Sequence, residues 1–262
     1  MHESIIFKLG PGVIASLLFI GMISSLYLGR YLSKKFDSNI AKGKNPLKST
    51  VIASILALFG FLLAFTFGLS GNRFDDRRKL VVEEANCIGT AILRADLYPD
   101  PVRTELRGYL KNYLDARLEF YESGHDNVLI KLSLDKADVY AKLLWKKVTG
   151  FSANKDMYLQ SMQMVPALNS MFDIATSRNI SGMESVPNSI VFFLLAISLI
   201  SIFYIGYLST EENYLNKTIV IGFCLLVALV IYITLDLDNP QKGLINLDIS
   251  YRAMYDVKKM LE

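Results

Sequence analysis

The sequence predicts an all-α integral membrane protein, with four transmembrane helices and a helical-bundle insertion between the second and third. Three observations carry this reading. Hydrophobic residues make up 52% of the 262 residues, gathered into runs rather than spread periodically. Four runs, Pro11–Leu28, Val51–Leu69, Ile190–Leu208 and Thr218–Leu235, contain no Asp, Glu, Lys, Arg or His. Each approaches the ~20 residues that cross a ~30 Å hydrocarbon core. The polar stretch between the second and third runs shows neither sustained period-2 alternation nor a hairpin turn signal, so it reads as helical. The expected division is a membrane part over 1–72, a polar helical domain over 73–186, a second membrane part over 187–238 and a tail over 239–262.

The first run lies near the N-terminus behind Lys8, as a signal peptide would. It is long for such a segment, and GRYLSKKF follows in place of a small-x-small cleavage site, so it is expected to be a retained anchor. The second run continues without a strong breaker from Val51 to Asp96, with glycines at 60, 68, 71 and 89 as its weak points. That predicts one long helix, leaving the membrane and running on into water. Pro99-Asp100-Pro101 ends it, because proline disfavours a helical residue before it.

Within the insertion, Val102–Glu122 carries Leu106, Leu110, Tyr113 and Leu114 at helical spacing. Ser123–Asn127 reads as a loop. Ser133 or Asp135 is expected to cap the next helix, which bears Val139, Leu143 and Trp145 and ends near Gly150. A further helix is expected from Asn154 to Arg178, with Pro166 as its point of strain. Ser181–Asn188 leads back into the membrane. After the last run, LDLDNPQKGLINLD precedes a short amphipathic helix, Ser250–Leu261.

The net charge of +3 is modest and gives no sign of nucleic-acid binding. The basic residues are juxtamembrane, where lipid headgroups are the natural partner. Lys8, Arg73, Arg77, Arg78, Lys79, Arg178, Lys242 and Arg252 lie near span ends on one face. The lysines and Arg30 of the first loop, with Lys217, lie on the other. The near balance leaves orientation open, and the first loop taken alone favours placing the bundle outside.

Few residue constellations here carry chemistry. Two histidines, His2 and His125, provide neither a metal cluster nor a nucleophile–base pair, and no Walker-type, GxGxxG, HExxH or GxSxG motif is present. No catalytic residue, metal site or cofactor is therefore assigned, and an enzyme is not expected. Asp75-Asp76 and Glu83-Glu84 read as solvated charges with i,i+4 partners, Asp75–Lys79 and Lys79–Glu83. Cys87 reads as a small core residue, and Cys87 and Cys224 are not expected to pair. Charge-free spans unbroken by proline argue against an ion-driven transporter. What remains is a pore built from several subunits, a sensor or a scaffold.

The second span has features of a pore liner. Phe61 and Phe65 fall one turn apart, with Leu58 and Leu69 above and below on nearly the same face and Thr66 and Ser70 nearby. In a ring of subunits such a stripe forms hydrophobic constrictions that gate by dewetting. Asn72, Asp76, Glu83, Asn86 and Thr90 extend a polar line beyond it. The same stripe also suits lipid or a neighbouring span, so periodicity alone leaves both readings open.

The segment LALFGFLLAFTFGLSGNRFDDRRKLVVEEANCIGTAILRADLYPD, through Arg73, Phe74, Asp76, Arg78 and Leu80, resembles the bacterial bestrophin-like membrane proteins and, more distantly, bacterial bestrophins. The tail LDLDNPQKGLI, with Asp236, Asp238, Pro240 and Gly243, is a second point of similarity. The resemblance implies a multi-pass protein of the bacterial inner membrane that forms a homo-oligomeric ion channel, with a pentamer as the suggested stoichiometry. Its partners would be other copies of itself, the lipid bilayer and inorganic ions, with Phe61 and Phe65 as the pore neck. It also implies that the insertion is cytoplasmic. Two departures accompany it: the spacing from the glycines of the span to the Arg-aromatic pair differs from bestrophins, and residues 1–11 lack the basic-aromatic motif of animal bestrophins. The rival expectation is a membrane sensor or scaffold without channel activity.

Overall fold

The computed structural model describes residues 10–36, 46–124, 126–208, 214–238 and 244–262, and among them every regular element is helical. In chain order these are α1 (Pro11–Phe36), α2 (Pro46–Ala95), α3 (Val102–Glu122), α4 (Asn127–Phe151), α5 (Tyr158–Met183), α6 (Asn188–Leu208), α7 (Tyr214–Asp238) and α8 (Asp248–Lys259). Four helices are long and apolar enough to cross a membrane. The long helix expected from the second run is present as a single element of 50 residues. The chain divides into two compact units, one of Met1–Arg73 with Ser185–Asn239, the other of Phe74–Glu184 with Pro240–Glu262.

The first unit is built on α1, which packs against α6 and α7. Ile14, Leu18, Met22 and Leu26 recur every fourth residue on one face of α1 and are buried in one cluster with Val191, Ile197 and Ile202 of α6 and Val227 and Ile231 of α7. Between α1 and α6 the backbones approach at two glycines. A Cβ on Gly29 would overlap the Phe203 carbonyl, and one on Gly206 would overlap the Leu26 carbonyl. In lipid, where apolar surface gives no drive for helices to associate, such small residues let van der Waals contact do so. The Ser25 hydroxyl adds an interhelical hydrogen bond to the Leu199 carbonyl, 2.8 Å long. α2 joins this unit through Phe59, Leu62, Leu63, Thr66 and Ser70.

The second unit is a bundle of the α2 extension, α3, α4 and α5, with α8 laid onto it. Val81, Ala85, Ile88, Ile92 and Ala95 form a stripe of period 3.6 on α2 that is wholly buried with Leu106, Leu110 and Leu114 of α3, Leu144 and Val148 of α4, and Met164 and Leu168 of α5. α8 buries Tyr251 and Met254, stacks Tyr251 on Tyr121 with ring centroids 3.4 Å apart, and pairs Lys258 with Asp115 at 2.7 Å.

Local boundaries differ from the sequence reading at the start of α4 and at both ends of α5, which begins at Tyr158 rather than Asn154. α4 begins at Asn127, not near Ser133: the Asp126 carboxylate accepts from the Val128 and Leu129 N–H groups, while the Ser133 hydroxyl turns back onto the Leu129 carbonyl. Asp126 can accept from the free amides of the first turn, the role an N-cap requires. α5 runs on to Met183 because Arg77, 6% exposed, donates its Nε to the Ser181 carbonyl and its Nη2 to the Glu184 carbonyl, serving groups that a helix C-terminus leaves open. Pro166 sits inside α5.

Candidate functional site

Three sets of residues lie along α2, and its helical phase sorts them. The first is the apolar stripe. Phe59, Thr66 and Ser70 turn inward at 2% exposure or less, which leaves Leu58, Phe61 and Phe65 outward at 51%, 65% and 56%. The Phe61 and Phe65 rings stack at 6.3 Å, and Leu69 is half-buried at the edge of the stripe. Thr66 and Ser70, expected beside the stripe, face the protein instead, and the Thr66 hydroxyl is satisfied by the Leu62 carbonyl at 2.8 Å. Of the apolar window of α2 only 11% is buried, against 28%, 39% and 33% for the other three. Asn72, Asp76, Glu83, Asn86 and Thr90 are all exposed.

The second set gathers at the end of the α2 span. Arg73 Nη1 reaches Asp238 Oδ1 at 3.2 Å, and Asp238 Oδ2 accepts the Val186 N–H at 2.7 Å. The two similarities noted at opposite ends of the chain therefore meet in one ion pair. It ties α2, the entry to α6 and the last residue of α7 together. An acid at a helix C-terminus is opposed by the macrodipole; here the guanidinium and a backbone donor offset that, with the Asp238 side chain fully buried. Asp236 is buried as well. Asp236 and Asp238 thus belong to the last turn of the fourth span. Phe74 packs on the bundle core, Arg78 lies 5.9 Å over the Phe74 ring, and Pro240 and Gly243 fall outside the described residues, as do His2 and His125.

The acidic residues beyond the span pair differently from the i,i+4 expectation. Asp75 pairs with Arg78 at 3.6 Å and Asp76 with Lys79 at 3.0 Å, both i,i+3 and exposed, so solvent screens them and they add little stability.

Glu84 is the larger departure, because it is not solvated. Its side chain is fully buried, and it binds Arg117 through Nε–Oε1 at 2.5 Å and Nη2–Oε2 at 3.2 Å, with Arg178 on Oε2. Arg178 also donates to the Tyr251 hydroxyl. The Phe120 ring lies 5.3 Å from the Arg117 guanidinium and 5.5 Å from that of Arg178, covering both with a π-face. Burial alone raises a carboxyl pKa. The charges of Arg178 and Arg117 and their hydrogen bonds outweigh it, so Glu84 sits below the usual carboxylate range. Burial pushes the Tyr251 phenol up to about 12, so it stays protonated. Cys87 is half-buried, and burial together with Glu83 and Glu84 raises its thiol pKa, which disfavours the reactive thiolate. The signal for this network was present in the sequence: Glu84 lies three residues after Val81 and four before Ile88, so it shares their buried face.

Comparison with known proteins gives the family and the fold. The Bestrophin-like domain matches residues 17–249, and the chain belongs to the bestrophin-like family. A crystal structure of a bacterial bestrophin homologue from Klebsiella pneumoniae carrying a point mutation shares the fold, with a TM-score of 0.69 at 10% identity over 94% of this chain and 97% of that one. A second from the same organism, phased on zinc, gives 0.66 at 11% identity over 98% and 99%. Among curated proteins, no sequence matches.

Proposed function

We propose that the protein is a homo-oligomeric ion channel of the bestrophin type, with α2 lining the pore and Phe61 and Phe65 forming its neck. The observation that carries this reading is the outward stripe Leu58–Phe61–Phe65 on a span that uses its other face for packing. Family membership gives the stripe its context. A ring of α2 helices would bring these side chains to a common axis, where bulky apolar rings hold a short dry segment against ions. Asn72, Asp76, Glu83, Asn86 and Thr90 supply a wet continuation. A pentamer in the bacterial inner membrane with the bundle in the cytoplasm is the form the family suggests.

Purified protein in planar bilayers tests the channel. Unitary currents that change in size or open probability with Phe61→Ala and Phe65→Ala are expected. Their absence from an intact oligomer would favour a sensor or scaffold. The basic first loop, which by charge alone belongs on the cytoplasmic side, favours that second reading with the bundle outside. Ala153→Cys in a Cys87→Ser background separates the two orientations, because residue 153 is exposed in the turn between α4 and α5. A membrane-impermeant maleimide should label it only after lysis if the bundle is cytoplasmic.

A further inference from the structure

A cavity of about 460 Å³ opens between α4 and α5, floored by α3, inside the polar bundle. Small side chains make the room: Ala137 and Ala141 on α4 face Ala175 on α5, where larger residues would close the interface. Pockets of about 300–1,000 Å³ are the size that holds small organic ligands. Its walls are aromatic, with Trp145 set edge-on to Phe172 at 6.4 Å and Tyr113 edge-on to the same ring at 6.5 Å.

The floor is rich in donors. Tyr113 is 2% exposed and lines the cavity. Its hydroxyl can donate to an acceptor held in the cavity. Asn179 Oδ1 accepts from Arg117 Nη1 at 3.0 Å, which leaves its amide N–H groups as donors. Beneath lie two guanidiniums, Arg117 and Arg178, against the single carboxylate of Glu84. That is one net positive charge in a nearly water-free core, where charges act strongly. At the rim, Lys142 is already neutralised by Asp138.

We propose that this cavity binds a small monocarboxylate with a flat, apolar body. Its carboxylate meets the Tyr113 hydroxyl and the Asn179 amide above Arg117, and its ring lies against the Trp145–Phe172 pair. The site is separate from the α2 stripe and does not depend on the channel reading.

Trp145 is the single tryptophan of the chain, so its emission reports the site directly in the detergent-solubilised full-length protein. Titration with 3-phenylpropionate should change that emission saturably. The neutral 3-phenylpropanamide should bind about tenfold more weakly, as should Tyr113→Phe with the acid, because each loses a hydrogen bond to a charged group. Octanoate, which has the same head without a ring, should also bind more weakly. Ala141→Phe, which fills the cavity from its half-buried wall, should abolish the change and controls for partition into micelles. The proposal is overturned by no saturation up to about 10 mM, weaker than any useful affinity. It is equally overturned if the amide or octanoate binds as tightly as the acid, or if Ala141→Phe binds like the parent protein.

Discussion

At the residue scale, the Glu84–Arg117–Arg178 network is the costliest feature of the bundle to disturb. Both guanidiniums rely on the one Glu84 carboxylate as their ion-pair partner, and all three side chains are buried. Removing one partner of a buried ion pair typically costs about 3–5 kcal/mol, so Glu84→Ala should lower the unfolding midpoint of the bundle steeply. The network also has a pH signature. Glu84 titrates lower when folded than when unfolded, so its stabilisation is complete above the ordinary carboxyl value of 4.5 and is lost as pH falls through the folded value. Thermal melts from pH 7 down to about 3 should lose stability with acid in the parent protein. In Glu84→Gln that part of the acid dependence should be missing; an unchanged slope would show that other carboxyls control it. Asp238→Asn probes the pair at the span end. It preserves the shape but leaves Arg73 facing a neutral amide, for an expected loss of about 1–3 kcal/mol, read as a lower melting temperature in detergent. Glu84 was legible as a buried position from the phase of Val81, Ala85 and Ile88. Its partners were not, because Arg117 and Arg178 lie on other helices, and no local pattern links residues 33 and 94 positions away.

At the element scale, helix boundaries followed local chemistry wherever that chemistry was local. The prolines after residue 98 bound α2, and Asp126 opens α4. Where a helix end is completed from outside, local reading falls short: α5 continues past Arg178 because Arg77, from α2, covers its last carbonyls. Contact between α1 and α6 also depends on a feature visible in sequence only as scattered small residues. Gly29 and Gly206 allow backbone-to-backbone contact, and any side chain there must push the helices apart. Gly206→Leu should therefore cost about 1–3 kcal/mol or more and lower the melting temperature of the membrane unit. Gly68, which has open space where a Cβ would stand, should accept alanine with little change in the same assay.

At the scale of the whole molecule, the asymmetry among the spans matters most. Three spans bury 28–39% of their apolar windows within the chain, and α2 buries 11%. A span with so little cover from its own chain meets either lipid or other copies of itself. In the channel reading, trimming the neck with Phe61→Ala and Phe65→Ala together widens a dry constriction. Single-channel conductance or open probability should then rise several-fold, because a wider apolar pore wets more readily. Native mass of the solubilised protein gives the subunit number on which that reading depends, and a monomer would end it.

By itself the sequence determined the class of this protein. Charge-free runs of membrane length and a polar stretch of helical period follow from hydrophobicity and local propensity, which need no partners. It also placed Phe61 and Phe65 on one face of α2, since helical phase is a local property. Tertiary structure alone decided which charges are solvated and which are buried. It brought Arg73 to Asp238 across 165 positions, sank Glu84 between two arginines, and opened a cavity where three alanines meet. Burial and pairing are set by which helices become neighbours, and that depends on the packing of the whole chain.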